Sequence, residues 1–208
     1  MKKIFSAAFI AGAIMLASCG ETKTETVAPA APVSPLAGDI KLTVDPAASS
    51  AKWKGEMLGI YSHEGTVKMK DGIVQLKDGN VTGGTFTVDL NTMTPSDENY
   101  KPAEGKSKEN LVGHLSSPDF FDVATYPTAT FVINSVAGNN ATGTLTVRGV
   151  SNQETVKNIT VTPDGQNVKL TGDLTFDRQK YGVAYSTGAK DKVLSDDIVL
   201  NVELVGHK

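Results

Sequence analysis

The 208 residues suffice for one main domain with extensions, and a hydrophobic content of 39% can supply a single core. A net charge of −3 lacks the positive face that a nucleic-acid partner requires. The single cysteine excludes a disulfide framework, and the 20 glycines suit a chain with many tight turns.

Lys2 and Lys3 precede a mainly apolar run from Ile4 to Leu16. The run is shorter than the roughly 20 apolar residues of a spanning helix. Residues 1–18 therefore read as a secretory signal peptide. Leu16-Ala17-Ser18-Cys19 is similar to the lipobox of bacterial lipoproteins, in which the cysteine thiol receives the lipid. On that likeness Cys19 is the expected lipid-attachment site and the protein is expected at the bacterial envelope, joined to a membrane by its N-terminal anchor. Gly20 follows in place of the Asp that marks inner-membrane retention, which favours the outer membrane, periplasmic side or surface. Residues 19–38 are rich in Thr, Ala and Pro without an apolar period, as in a disordered tether. At about 3.1 Å per residue it would reach roughly 60 Å.

The domain proper is expected over 39–208. Ile40, Leu42 and Val44 alternate with polar residues in a first strand, and Lys52-Trp53-Lys54 begins a second. Strands at 66–70 and 73–77 flank Asp71-Gly72, which reads as a hairpin turn, and 78–80 as another. In 81–90, Phe86, Val88 and Leu90 share one face. Residues 91–105 are polar and read as a loop, followed by a brief helix within 105–115. Pro118 and Pro127 bracket an aromatic segment holding Phe120, Phe121 and Tyr126, rings expected to fold down on an apolar interior. Further strands are expected at 128–136, 142–149, 155–162, 166–177 and 195–205, with 179–192 as a connection that has room for one helical turn. Short strands with tight turns imply an all-β, antiparallel up-and-down barrel of about eight strands, closed to hide its edges.

Inward positions of such strands are Phe86, Val88, Leu90, Phe131, Ile133, Leu145, Val147, Leu170, Leu174, Phe176, Leu200, Val202 and Leu204. A barrel of this size is either filled by its own side chains or holds one small ligand. The strand pattern by itself favours the solid core. Gly83, Gly84, Gly143 and Gly172 fit open space, sharp bends or bulges.

Four blocks in register resemble the YceI-like family. They are His114-Leu115 with Asp119-Phe120-Phe121-Asp122, the run Tyr126–Phe131, the run Gly143–Val150, and Phe176-Asp177-Arg178 with Tyr181-Gly182; Ser62-His63-Glu64-Gly65 also fits. The resemblance implies a lipocalin-like barrel enclosing an elongated apolar channel for a polyisoprenoid or other long-chain lipid. It reverses the solid-core preference and adds Phe120 and Phe121 to the channel-lining residues.

The polar residues are few. Arg148 and Arg178 are the only arginines, and their fixed guanidinium donors suit ties to strand ends or loop carbonyls at a barrel rim. Asp177, beside Arg178, is offered as a partner elsewhere in the barrel. His63 and His114, with Glu64 or Asp119, lack zinc-motif spacing and are expected to cap turns or face solvent, so no metal and no cofactor is expected. No nucleophile-elbow, phosphate-loop or dinucleotide motif occurs, and Asp119/Asp122 and Asp196-Asp197 do not read as catalytic pairs. The expectation is therefore a non-enzymatic lipid carrier. The alternative is an envelope interaction or adhesion module with a solid barrel and functional loops at 91–118.

Overall fold

The computed structural model describes residues 36–186, 188 and 193–208. The expected signal peptide, Cys19 and most of the tether lie outside the described residues, as does part of the 179–192 connection. Among the described residues, nine strands and one α-helix follow in order: β1 Asp39–Val44, β2 Ser50–Met57, β3 Tyr61–Lys77, β4 Asn80–Pro95, α1 Lys108–Ser116, β5 Thr128–Ala137, β6 Asn140–Val147, β7 Val150–Asp164, β8 Asn167–Asp177 and β9 Leu194–His207.

Every strand pair is antiparallel, and sequence neighbours from β2 to β9 are also neighbours in space. The β2–β9 ladder, running from Ser50↔Glu203 to Met57↔Leu194, closes the ring. This is a closed up-and-down barrel of eight staves. β1 and β2 share one stave. β2 pairs with the first half of β3, through Ala51↔Val67 and its neighbours, and β1 with the second half, through Leu42↔Val74. The stave breaks at 45–49, where Pro46 has no N–H to give. Buried Ser49 repairs the gap: its Oγ accepts from the Val205 amide at 2.9 Å.

The short turns carry left-handed backbone at both central positions where the sheet twist demands it. Asp78 and Gly79 have φ of 49° and 80°, and Arg148 and Gly149 have 50° and 72°. Asp71-Gly72, expected as a turn, is not one. Neither residue has positive φ, and β3 runs straight through with a bulge between Met69 and Asp71. The bulge moves the inward positions from Val67 and Met69 to Gly72, Val74 and Leu76. That one-residue phase slip imitates two strands. Gly72 is needed for close approach: a Cβ there would lie 3.0 Å from Val44 Cγ2 and 3.1 Å from Phe86 Cδ1.

The expected loop at 91–105 is likewise shorter, because β4 continues to Pro95 and pairs Thr94 with Thr66 and Pro95 with Gly65. Ser107 caps α1, its Oγ accepting from the Asn110 amide at 3.2 Å, and the helix stops at Ser116, just before Pro118. Helix α1, the aromatic segment and residues 178–186 gather at one end of the barrel. The turns at 78–79, 138–139 and 165–166 mark the other.

The in-strand glycines do not leave space open. At Gly143 a Cβ would collide with the Val132 carbonyl and sit 2.5 Å from Phe131 Cζ, and at Gly84 it would lie 2.9 Å from Phe86 Cζ. Gly143 and Gly84 each let an aromatic ring lie against the barrel wall, whereas Gly83 admits Gln75 and Gly172 admits Val156. Gly143→Ala should therefore cost about 1–3 kcal/mol of stability through overpacking, which urea unfolding would measure.

Candidate functional site

The barrel interior is not filled. A cavity of about 430 Å³ runs inside it, within the roughly 300–1,000 Å³ of small-molecule sites. The solid-core preference drawn from the strand pattern does not hold. Alternation dictates which side chains point inward, and says nothing about whether they meet across the lumen.

All fifteen residues expected inside the barrel, Leu204 among them, lie on this cavity. β4 contributes Phe86, Val88 and Leu90; β5 contributes Phe131 and Ile133; β6 contributes Leu145 and Val147. From β8 come Leu170, Leu174 and Phe176, from β9 Leu200 and Val202, and from the aromatic segment Phe120 and Phe121. On β6 the lining runs from Ala141 to Val147, roughly 20 Å of strand at about 3.3 Å per residue.

Sequence reasoning missed the contribution of β2 and β3. Trp53, Val67, Met69 and Val74 line the cavity too, and the spurious hairpin at 71–72 had hidden their common face. It also missed α1, whose Leu111 and Leu115 close over the end. Of the three rings expected to be buried, Phe120 is buried and Phe121 half-buried. Tyr126 is also half-buried but lies off the cavity wall. It packs over Gly149, where a Cβ would meet its Cε1 at 3.0 Å.

Both arginines hold carbonyls. Arg148 Nη1 donates to Phe120 O at 2.6 Å and Gly182 O at 3.0 Å, tying the β6–β7 turn to the aromatic segment and to the connection after β8. Arg178 is buried and donates to Ser195 O at 2.9 Å, Val183 O at 2.6 Å and Tyr185 O at 3.0 Å. Its Nη2 meets Asp196 Oδ1 at 3.0 Å. Burial pulls its pKa down, and Asp196 and Asp177 work against that. Asp177 acts locally, accepting from the Gln179 amide to cap a 3-10 turn at Arg178–Tyr181. The β7–β8 ladder starts only at Lys157↔Asp173. Nearer the helix-bearing end this turn lies against β7 instead: Tyr181 donates to Glu154 at 3.1 Å and Asn152 to Lys180 O at 3.1 Å. Burial, then Glu154, pushes the Tyr181 phenol up.

His63 and His114 do not merely cap turns or face solvent. Both line the cavity where it meets Met57, Tyr61, Leu111 and Tyr185. His114 lies edge-on to Phe120 and Tyr185, with ring centres 5.4 Å and 4.5 Å away. The carboxylate of His63 is not the neighbouring Glu64 but Asp97, at 3.1 Å from Nδ1. Asp97, unmarked in the sequence reading, also accepts from the amides of Glu64 (3.0 Å) and Asn99 (2.9 Å) and from Tyr100 Oη (2.8 Å). An Asp followed two residues later by Asn is a weak local signal for such a turn. Among the described residues no group of three His, Cys, Asp or Glu is placed to hold a metal ion.

A match to the YceI-like domain extends over residues 42–206, nearly the whole barrel. The chain belongs to the YceI-like family. Among its YceI-like relatives, a UPF0312 protein of Staphylococcus aureus is 30% identical over 152 residues, 69% of this chain and 82% of its own. BcnA of Burkholderia cenocepacia superposes with a TM-score of 0.63 at 24% identity, covering 78% of this chain and 98% of that one. A polyisoprenoid binding domain from Saccharophagus degradans, implicated in plant cell wall breakdown, gives 0.52 at 13% identity over 80% and 97%. These two likenesses show the shared barrel fold.

Burial alone would raise the Asp97 pKa, but its four donors outweigh burial and hold it below the usual carboxylate range. A depressed folded value means that the stabilisation is complete above the unfolded pKa of about 3.9 and is lost as pH falls through the folded value. Asp97→Asn should cost about 1–3 kcal/mol at pH 7, and the gap to wild type should narrow between pH 4 and pH 2. Denaturant unfolding across that range reads both.

Proposed function

We propose that this protein binds one long apolar chain, polyisoprenoid-like or fatty-acyl, inside the barrel, and carries or sequesters it without catalysis. One observation carries the reading: a lumen of about 430 Å³ walled almost wholly by aliphatic and aromatic side chains from every stave. Each methylene removed from water there is worth about 0.8 kcal/mol, so a chain of many methylenes binds by accumulation and with little dependence on its identity. Membership of the YceI-like family and the ligand named for the Saccharophagus degradans domain support the same class of ligand. The interaction-module alternative assumed a solid core, which the cavity disfavours.

Leu145→Trp separates the two. In a packed core the added ring would cost about 1–3 kcal/mol. In a lumen it should occupy ligand space, leaving the melting temperature of lipid-stripped protein nearly unchanged while retention of a fluorescent polyprenyl or fatty-acyl probe is lost. Stability lost together with no probe binding in the wild type would overturn the carrier reading. Native mass spectrometry of the purified domain should also find a co-purifying long-chain lipid.

We further propose that Cys19 carries a lipid and that the domain is tethered to the bacterial envelope, with Gly20 favouring the outer membrane. The warrant is the Leu16–Cys19 sequence at the end of the apolar run. Cys19→Ser should move the protein from the membrane fraction to the soluble or unprocessed fraction; unchanged fractionation would refute the anchor.

A further inference from the structure

We propose that His63, oriented by Asp97, recognises the polar end of the bound chain, and that this end is a hydrogen-bond donor, which makes the ligand a long-chain alcohol. The proposal rests on the apolar-chain reading above and adds the chemistry of one terminus. The polar side chains on the cavity wall are those of His63, His114, Trp53, Thr130, Thr171, Tyr61 and Tyr185, and they are unequal. Thr171 is committed to Thr160, with Oγ1 atoms 2.7 Å apart, and Trp53 Nε1 donates to Thr66 O at 3.2 Å. His114 lies against the rings of Phe120 and Tyr185, and among the described residues no carboxylate pairs with it. Among the described residues His63 is the one on this wall whose ring is held from behind by a carboxylate.

The lock fixes what the imidazole presents. Asp97 is buried, with 6% of its side chain accessible, and it collects donors from Glu64, Asn99 and Tyr100 as well as from His63. A carboxylate so surrounded by donors is an acceptor only, so in the neutral ring the proton sits on Nδ1 and the lone pair on Nε2. Tyr100 stacks on the ring at 5.0 Å and 20°, and Tyr61 meets its edge at 5.1 Å, which leaves the ring plane little freedom. In that neutral form Nε2 is the ring nitrogen that Asp97 does not hold, and it is an acceptor. A hydroxyl can donate to it. An ether or ester oxygen would set lone pair against lone pair, and a hydrocarbon would leave a polar atom unpaired.

The test is displacement of a fluorescent fatty-acyl probe from the barrel by 1-dodecanol and by its methyl ether, 1-methoxydodecane. These share the chain and the oxygen and differ in the donor. The readout is the alcohol-to-ether potency ratio in wild type divided by that in His63→Phe, a change that keeps an aromatic ring against Tyr100, so differences in the solubility of the two compounds cancel. The expected quotient is roughly five, with the ether bound no more tightly by wild type than by His63→Phe. In Asp97→Asn, which retains His63 but releases its tautomer, the alcohol advantage should shrink; this variant carries the test should His63→Phe not fold. A quotient of one, or an alcohol advantage that survives both substitutions, overturns the assignment to His63 while leaving the apolar cavity intact. Failure of both compounds to displace the probe from wild type would instead overturn the cavity reading and this proposal with it.

Discussion

Strand β3 hydrogen-bonds to three other strands, and closure of the barrel depends on that sharing. β2 takes its first half, β1 its second, and β4 most of the opposite edge. Backbone N–H and C=O groups on an open sheet edge are available to any other strand. Here the seventeen residues of β3 leave no such edge, and the stave made of β1 and β2 carries the ladder on to β9. A chain break inside a stave would normally orphan backbone groups. Ser49 prevents this with a hydroxyl that serves the Val205 amide.

Closure with eight staves makes a lumen, and the glycines decide how much of it remains. Phe131 and Phe86 are large enough to cross the interior. Gly143 and Gly84 allow both rings to lie along the wall instead. Trp53 is treated in the same way by Gly65, where a Cβ would come within 2.5 Å of its Cζ2. The aromatic surface therefore faces the cavity as lining and does not obstruct it. The same device keeps the wall continuous, because a ring over a glycine covers backbone that would otherwise be bare.

The polar groups are concentrated at the helix-bearing end, and most of them organise chain that has no ladder of its own. Arg178 gathers the carbonyls of 183, 185 and 195, and Arg148 those of 120 and 182. Asp97 does the same for amides, fastening the chain after β4 to β3 through Glu64. Arg178 and Asp97 are buried and Arg148 half-buried, and none of the three lies on the cavity wall, so they shape the cavity end without placing charge on it. The exposed large apolar residues Leu58, Ile60, Tyr61 and Val193 gather here as well, and the Leu58 amide donates to Val193 O at 2.9 Å.

The alternation of apolar residues in β4, β5, β6, β8 and β9 was enough to place every channel residue expected on those strands on the inner face. A period of two admits only two faces, and the other face is polar. The four blocks around 114–182 likewise carried the family. Three features were beyond such reading. The bulge at 69–71 in β3 slips the period by one residue, which looks like a turn until the partner strands are seen. The hollow interior depends in part on how rings pack against glycines of a neighbouring strand, as Phe131 does against Gly143, 12 positions away. The Asp97–His63 pair joins residues 34 apart. Local periodicity encodes which way a side chain points, because that is set by the backbone of its own strand. What the side chain meets is set by the closure of the whole barrel, and only the tertiary structure decides it.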